Sequence, residues 1–184
     1  MKNKDSRYYW YGRKLILIGR NVKMNIRNFF AAIHNYFFCL KYPFYKVYNV
    51  YTDKFSGYAR TWYDAIPKGW RKAFGKQLSK ELKKQLIKDG MLYTFRFSQI
   101  KEKYGTLRMY NFSCTEEVEK LLNKYEGLSK QYCIYCGRPA QYITSGYVLY
   151  LCEKCLRNEL GLKKNEELDL YKYNVDTIER DESN

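Results

Sequence analysis

The sequence predicts an α+β protein with several helices, two β-hairpins and a C-terminal metal module, either a zinc ribbon or a treble-clef-like unit. Three observations predict this class. Apolar residues recur at every fourth position over residues 70–86, which is typical of an amphipathic helix. Segments that alternate aromatic or β-branched residues with polar ones flank glycine-containing turns, as hairpins do. Two CxxC pairs are separated by fifteen residues near the C-terminus.

The chain divides into four predicted regions. Residues 1–40 form an N-terminal aromatic and basic segment with a helix, and residues 41–132 form a basic α+β domain. Residues 133–156 form the metal module, which we expect to pack on that domain because no linker separates them. Residues 157–184 form an acidic tail, and we hypothesise that it folds back on the basic surface.

In the N-terminal third, Asn25 is a candidate cap for a helix that runs to about Leu40 and stops before Pro43. Beyond it, residues 45–52 and 58–63 alternate aromatic and β-branched residues around a glycine-containing turn. This pattern predicts the first hairpin.

The middle of the chain holds the best predicted helix, which follows Pro67 and ends near Gly90. Its predicted buried face is an apolar stripe: Trp70, Phe74, Leu78, Leu82 and Leu86. Residues 93–99 and 106–112 then predict the second hairpin. A further helix runs to Gln131 and begins at a Ser113 capping box, with Thr115 as the rival cap.

The two CxxC pairs predict a metal site with four thiolate ligands: Cys133, Cys136, Cys152 and Cys155. Each pair can place two sulfur atoms on one side of a tight turn, and two such turns complete a tetrahedron around Zn²⁺. Iron is the rival metal, and two disulfides or four free thiols are the alternatives without a metal. Four protein ligands leave no open position, so we expect one structural zinc ion. Cys39 and Cys114 lack a partner spacing and are interpreted as buried or incidental thiols.

Several functional classes are excluded or disfavoured. The single histidine, His34, excludes HExxH hydrolases, HNH-type nucleases and Cys2His2 fingers, and we expect it to be packed among aromatic residues. No phosphate-binding glycine loop occurs. No apolar run is long enough to span a membrane, and the first residues lack a secretory pattern, so we expect a cytoplasmic protein.

The formal net charge of +15 indicates either an anionic partner or a contribution to solubility alone. Basic residues surround the apolar stripe and continue onto the second hairpin, where Tyr104 and Tyr110 could either stack on bases or belong to the core. The predicted nucleic-acid- or partner-binding residues are Lys68, Arg71, Lys72, Lys76, Lys80, Lys83, Lys84, Arg96, Lys101, Lys103 and Arg108. Because lysine predominates on the helix, contact with the phosphate backbone is favoured over base reading.

One short fragment resembles a metal-dependent nuclease. Gln99-Ile-Lys101-Glu102 ends a predicted strand downstream of Asp64 and Asp89, and a lysine beside paired carboxylates could activate water at Mg²⁺. A glutamine stands where such a motif needs an acid, so a Mg²⁺-dependent nuclease is only the alternative to a protein that is not an enzyme.

Two segments resemble small bacteriophage and prophage proteins of uncharacterised function: YDAIPKGWRKAFG at 63–75 and QIKEKYGTLRMY at 99–110. The Tyr125-Glu126 pair and the two CxxC pairs occur in the same order in that family. The resemblance covers residues 40–156 and implies a phage origin and a bacterial host cell, but no activity.

Two functions remain. The first is a non-catalytic, zinc-stabilised basic accessory protein that binds nucleic acid, DNA or RNA, mainly through the phosphate backbone. The second is an inhibitor or adaptor that takes part in host takeover or counters a host defence. It would bind an acidic surface of a host protein or nucleoprotein.

Overall fold

The computed structural model describes residues 7–11, 14–18, 26–49, 51–144 and 146–161. Helices are mixed with three two-stranded antiparallel sheets, β1–β2, β3–β4 and β5–β6, which confirms the α+β class. In chain order the elements are β1 (Arg7–Tyr11), β2 (Lys14–Ile18), α1 (Ile26–Lys41), α2 (Trp62–Ala65), α3 (Lys68–Trp70), α4 (Lys76–Lys88), β3 (Phe97–Lys103), β4 (Thr106–Asn111), α5 (Glu116–Ser129), β5 (Tyr142–Ile143), β6 (Tyr150–Leu151) and α6 (Glu153–Leu160).

The predicted N-terminal helix is confirmed as α1, which ends at Lys41. The proposed Asn25 cap lies outside the described residues, as does most of the acidic tail, residues 162–184. Upstream of α1, the short strands β1 and β2 pair in register from Arg7 opposite Ile18 onward, a hairpin that was not predicted from the sequence.

The first predicted hairpin, over residues 45–52 and 58–63, is wrong. The structure has a 3-10 turn at Pro43–Tyr45, followed by one isolated antiparallel bridge between Tyr48 and Phe55. The residues that were predicted to form the second strand lead into the short helix α2 instead.

A capping signal and an aromatic cluster explain this difference. Thr61 and Asp64 form a capping box that begins α2, since each side chain accepts a hydrogen bond from the other residue's backbone N–H. The ring of Tyr45 lies 5.3 Å from that of Tyr63 and 5.7 Å from that of Phe38. The aromatic alternation therefore reflects packing around α1 rather than the pleat of a strand.

The predicted central helix is confirmed, and we call residues 68–88 the basic helix. A π-helical turn, Arg71–Gly75, joins α3 to α4 without a break. A strict four-residue repeat drifts by about 40° per step around an ideal α-helix, and the wider π turn offsets part of that drift. All five stripe residues are consequently buried: Trp70, Phe74, Leu78, Leu82 and Leu86. The helix ends at Lys88, and Gly90 just beyond it has a φ of 70°, which suits a left-handed cap.

The second hairpin, β3–β4, is confirmed, but β3 begins at Phe97 rather than at Tyr93. The residues before it turn, because two backbone N–H groups donate to the carbonyl of Met91. Tyr104 and Gly105 form the tip, with φ values of 53° and 74° that match a type I′ turn.

The outer edge of β4 is closed by side chains of α5. The Leu107 N–H donates to Ser129 Oγ over 2.9 Å, and the Met109 N–H donates to Glu126 Oε1 over 2.6 Å. These bonds occupy donors that would otherwise be available to a foreign strand.

The cap of α5 is Thr115, so the rival cap is correct and Ser113 is not the cap. Thr115 Oγ1 accepts a hydrogen bond from the Val118 N–H over 3.3 Å. The same hydroxyl donates to Asp89 Oδ2 over 2.6 Å, which ties the start of α5 to the end of α4.

One hydrophobic core includes both the basic helix and the cysteine segment. Trp70 is fully buried, and the same cluster contains Ile134, Leu151 and Leu156 from the segment after residue 132. The predicted metal module therefore packs on the basic domain. Helix α6 also crosses the predicted boundary after residue 156.

Candidate metal centre and basic surface

The two CxxC pairs converge on one site. The Sγ atoms of Cys133, Cys136, Cys152 and Cys155 all lie within 4.8 Å of one another. The Cys136 and Cys152 sulfur atoms are 3.5 Å apart, far longer than a disulfide bond of about 2.0 Å. A tetrahedral zinc ion with Zn–S bonds of about 2.3 Å needs sulfur atoms about 3.8 Å apart. The four thiols can therefore hold a metal ion.

The first pair lies in a tight turn. The Cys133 N–H donates to the Arg138 carbonyl over 2.7 Å, and the Gly137 N–H donates to the Cys133 carbonyl over 2.9 Å. Gly137 has a φ of 80°, the left-handed conformation expected of a metal turn. A Cβ atom there would lie 2.5 Å from the Gly69 carbonyl oxygen, so the position also needs glycine for a close approach.

The second pair lies at the start of α6, a helix that was not predicted from the sequence. Cys152 is its N-cap residue, and the Cys155 N–H donates to the Cys152 carbonyl over 3.0 Å. The segment between the pairs forms two short antiparallel strands, β5 and β6. They return the chain so that the two turns meet.

The Gly69-Trp70 dipeptide of the basic helix holds the first cysteine turn. The Gly69 N–H donates to the Ile134 carbonyl over 2.9 Å, and Trp70 Nε1 donates to the Tyr132 carbonyl over 3.0 Å. A Cβ on Gly69 would lie 2.1 Å from the Cys133 carbonyl oxygen. Trp70 was expected in the core, but this role of Gly69 was not predicted, because no local pattern in the sequence signals it.

Arg138 lies against the sulfur atoms of both pairs. Its Nε donates to Cys136 Sγ over 3.5 Å, and its second guanidinium nitrogen donates to Cys152 Sγ over 3.3 Å. Burial acts to raise the pKa of Cys136, but the Arg138 hydrogen bonds help to lower it to about 6. Burial raises the pKa of Cys133 and Cys155. A site of four thiolates is strongly anionic, and Arg138 compensates part of that charge.

The remaining thiols and the histidine lie outside this site. Cys39 is 1% exposed, and burial raises its pKa to about 11. Cys114 is half-buried. His34 stacks on the Phe38 ring at 6.3 Å but is exposed, so the prediction of a packed histidine is wrong.

The predicted lysines of the basic helix share its solvent side. All are exposed except Lys83, which is half-buried. Within the described part of the chain, these side chains form no ion pair: Lys68, Lys72, Lys76, Lys80, Lys83 and Lys84.

One lysine from α1 joins this surface. Lys41, Lys80, Lys83 and Lys84 line an open groove of about 310 Å³ together with Tyr42 and Ile87. The amines of Lys41 and Lys83 lie 5.5 and 5.7 Å from the centre of the Tyr42 ring. Lys41 was not predicted, because only the packing of α1 against the basic helix brings it here.

The three predicted arginines are held by carboxylates. Arg71 lies 3.5 Å from Asp64, and Arg108 lies 3.1 Å from Glu126. Arg96 pairs with Asp53 and also lies 4.0 Å from the centre of a tyrosine ring. Within the described residues, these guanidinium groups have carboxylate partners, whereas the predicted lysines of the basic helix have none.

The carboxylates of the nuclease-like pattern are not gathered into one site. Asp64 caps α2, and Asp89 accepts hydrogen bonds at the α4–α5 junction. Glu102 accepts from the Gly105 N–H and the Tyr147 hydroxyl, both over 2.7 Å. In the described ranges, the four cysteines are the only group of three or more histidine, cysteine, aspartate or glutamate side chains placed to hold a metal ion.

Compared with known proteins, the chain matches no family model, and no curated protein or solved structure is significantly similar to it. None of the described helices has the length and apolar character needed to cross a membrane.

Proposed function

We propose that this chain is a non-catalytic, zinc-stabilised protein that binds nucleic acid mainly through the phosphate backbone. The observation that carries the proposal is the lysine surface of the basic helix, which gathers a fourth groove lysine, Lys41, from α1. Lysines that have no carboxylate partner in the described ranges remain available to an anionic ligand. Such contacts supply affinity with little sequence preference.

The chemistry of the cations supports backbone contact. Lysine is a flexible point charge, whereas bidentate reading of guanine needs an arginine fork. The predicted arginines Arg71, Arg96 and Arg108 are engaged by carboxylates. The surface therefore suits phosphates better than base edges.

Zinc is the proposed metal because the four cysteine sulfur atoms lie within 4.8 Å of one another, and a set of four cysteine ligands is typical of structural zinc sites. The order of elements supports a treble-clef-like module: a cysteine turn, the β5–β6 hairpin, and a helix whose first turn carries the second pair. Metal binding would contribute to folding rather than to a reaction, since no coordination position stays open.

The test compares the affinity of zinc-loaded protein for labelled oligonucleotides before and after removal of basic-helix charges. The variant carries Lys76→Gln, Lys80→Gln and Lys84→Gln. It should bind several unrelated sequences more weakly and by similar factors, because phosphate contacts carry no sequence information.

The matched control loses the same charge elsewhere, through the substitutions Lys54→Gln, Lys120→Gln and Lys154→Gln. It should retain most of the affinity. Equal losses in both variants would show that net charge alone attracts the oligonucleotide, and the assignment to the basic helix would fail.

A second candidate is the protein-binding inhibitor or adaptor, which one observation favours. Phe30, Phe37 and Leu40 on α1 are 63%, 63% and 59% exposed. Large exposed apolar side chains are typical of contacts with another protein. Capture of one bacterial protein in near-stoichiometric amount after nuclease treatment, without oligonucleotide binding, would favour this candidate.

A further inference from the structure

We infer that the outward face of the β3–β4 hairpin is a stacking surface for single-stranded nucleic acid, with Tyr110 and Phe112 as the platforms. This inference rests on the proposed nucleic-acid function and specifies the form of the ligand. Within the proposed nucleic-acid-binding surface, these two rings are the contacts that the hairpin contributes.

The hairpin has one packed and one open face. Ile100, Leu107 and Met109 are each at most 5% exposed and belong to the core. Because side chains alternate along a strand, Lys101 and Tyr110 lie on the opposite face. The Lys101 amine lies 5.3 Å from the centre of the Tyr110 ring, which places both on the same side.

The two rings are exposed and belong to residues two positions apart in the chain. Tyr110 is 41% exposed and Phe112 is 60% exposed. Phe112 follows β4, and its N–H still donates to the Arg96 carbonyl over 3.4 Å, so the strand direction continues to this residue. Two residues of extended chain place the Cα atoms of Tyr110 and Phe112 about 7 Å apart.

One lysine of β3 lies beside the Tyr110 ring, and a second lies beside an exposed tyrosine at the hairpin tip. Lys101 and Lys103 lie two residues apart on β3 and form no ion pair among the described residues. The Lys103 amine lies 5.2 Å from the centre of the Tyr104 ring at the hairpin tip, and that ring is 72% exposed. A base stacked on Tyr110 would leave its phosphate within reach of the Lys101 amine.

A single strand fits this arrangement better than a duplex or a protein. Duplex bases are stacked on each other and present only their edges, whereas an unpaired base offers a face to an aromatic ring. A protein partner would meet the Lys101 amine beside the Tyr110 platform, and interface cores are depleted in lysine. The charge and the flat rings together favour a polyanion with aromatic bases.

The experiment measures fluorescence anisotropy of labelled oligo(dT) and of a labelled duplex of equal length, with the zinc-loaded full chain. The test variant carries Tyr110→Ala and Phe112→Ala. The control variant carries Tyr51→Ala and Tyr93→Ala, which remove two tyrosines that are 97% and 80% exposed elsewhere. Thermal unfolding of each variant verifies the fold.

The test variant should bind oligo(dT) at least about 25-fold more weakly, since each lost stack weakens binding about 5- to 150-fold. The affinity of the test variant for the duplex should stay near that of the wild type. The control variant should bind both oligonucleotides about as tightly as the wild type. Unchanged oligo(dT) affinity in the test variant overturns this inference and leaves the lysine surface standing. Failure of the wild type to bind either oligonucleotide overturns both this inference and the proposed function.

Discussion

Substitution of Gly69 by alanine tests how the cysteine turn is held on the basic helix. The new Cβ would lie 2.1 Å from the Cys133 carbonyl oxygen and 2.4 Å from the Ile134 carbonyl oxygen. Both obstacles are backbone atoms, so no side chain can rotate away. The cysteine turn would have to move away from the helix, and the bond from the Gly69 N–H to Ile134 would weaken.

The expected magnitude follows from these contacts. Overpacking of a core costs about 1–3 kcal/mol, and the backbone hydrogen bond contributes about 1 kcal/mol. The free energy of unfolding should therefore fall by about 2–4 kcal/mol. For a chain of this size the melting temperature should fall by about 4–16 °C.

Thermal unfolding of zinc-loaded protein by circular dichroism measures this loss, and transfer of zinc to a chromophoric chelator measures metal retention. The control is the Gly127→Ala variant. Gly127 lies in α5, and a Cβ added there would meet no atom within 4 Å. Alanine at this position should therefore be neutral or stabilise by up to about 1 kcal/mol. If Gly69→Ala melts and releases zinc as wild type does, the described docking is wrong.

Four further predictions concern the metal, a cap, an acid-sensitive carboxylate and the groove. Cys152→Ser should abolish stable zinc binding, as measured by metal content after gel filtration, and chelation of the wild type should lower its melting temperature. Thr115→Ala should cost about 1 kcal/mol in urea unfolding, whereas Ser113→Ala should have little effect. The pKa of Asp89 is lowered, chiefly by the hydrogen bond from Thr115. The ionised carboxylate therefore contributes to the free energy of unfolding at pH values above the ordinary carboxyl pKa. That contribution is lost as pH falls through the lowered value, and Asp89→Asn should reduce the acid dependence of stability, measured by urea unfolding across acidic pH. Lys41→Gln should weaken oligonucleotide binding in the anisotropy assay although Lys41 lies outside the basic helix.

Local signals in the sequence predicted much of the fold. The apolar stripe on the basic helix depends on residues close together in the chain, and it is confirmed. The second hairpin depends on local alternation in the same way and is confirmed, with its turn at Tyr104-Gly105. The metal site was predictable for the same reason, because each CxxC pair forms its own turn. Only the meeting of the two turns required the tertiary structure.

The prediction of the first hairpin was wrong because an alternating pattern of aromatic residues does not distinguish a pleated strand from a packed aromatic cluster. Tyr45 and Tyr63 each belong to a segment in which aromatic residues alternate as they do in strands, yet both rings pack near Phe38. The competing capping box of Thr61 and Asp64 was present in the sequence but was not used as a helix signal.

Long-range pairings could not be predicted from one sequence. Arg96 meets Asp53 from 43 positions away, and Arg108 meets Glu126 on the next helix. These contacts distinguish the arginines, which pair with carboxylates, from the predicted lysines of the basic helix, which have no ion-pair partner among the described residues. The groove position of Lys41 depends in the same way on the packing of two helices.

The salt dependence of oligonucleotide binding tests the central claim most directly. The observable is the slope of the logarithm of the association constant against the logarithm of salt concentration. Each phosphate contact contributes about 0.7 to 0.9 to that slope. The affinity falls as salt rises, so the slope is negative. The variant with Lys76→Gln, Lys80→Gln and Lys84→Gln should show a slope whose magnitude is about 2–3 lower than that of the wild type. Identical slopes in the two proteins would contradict a phosphate-binding role for the basic helix.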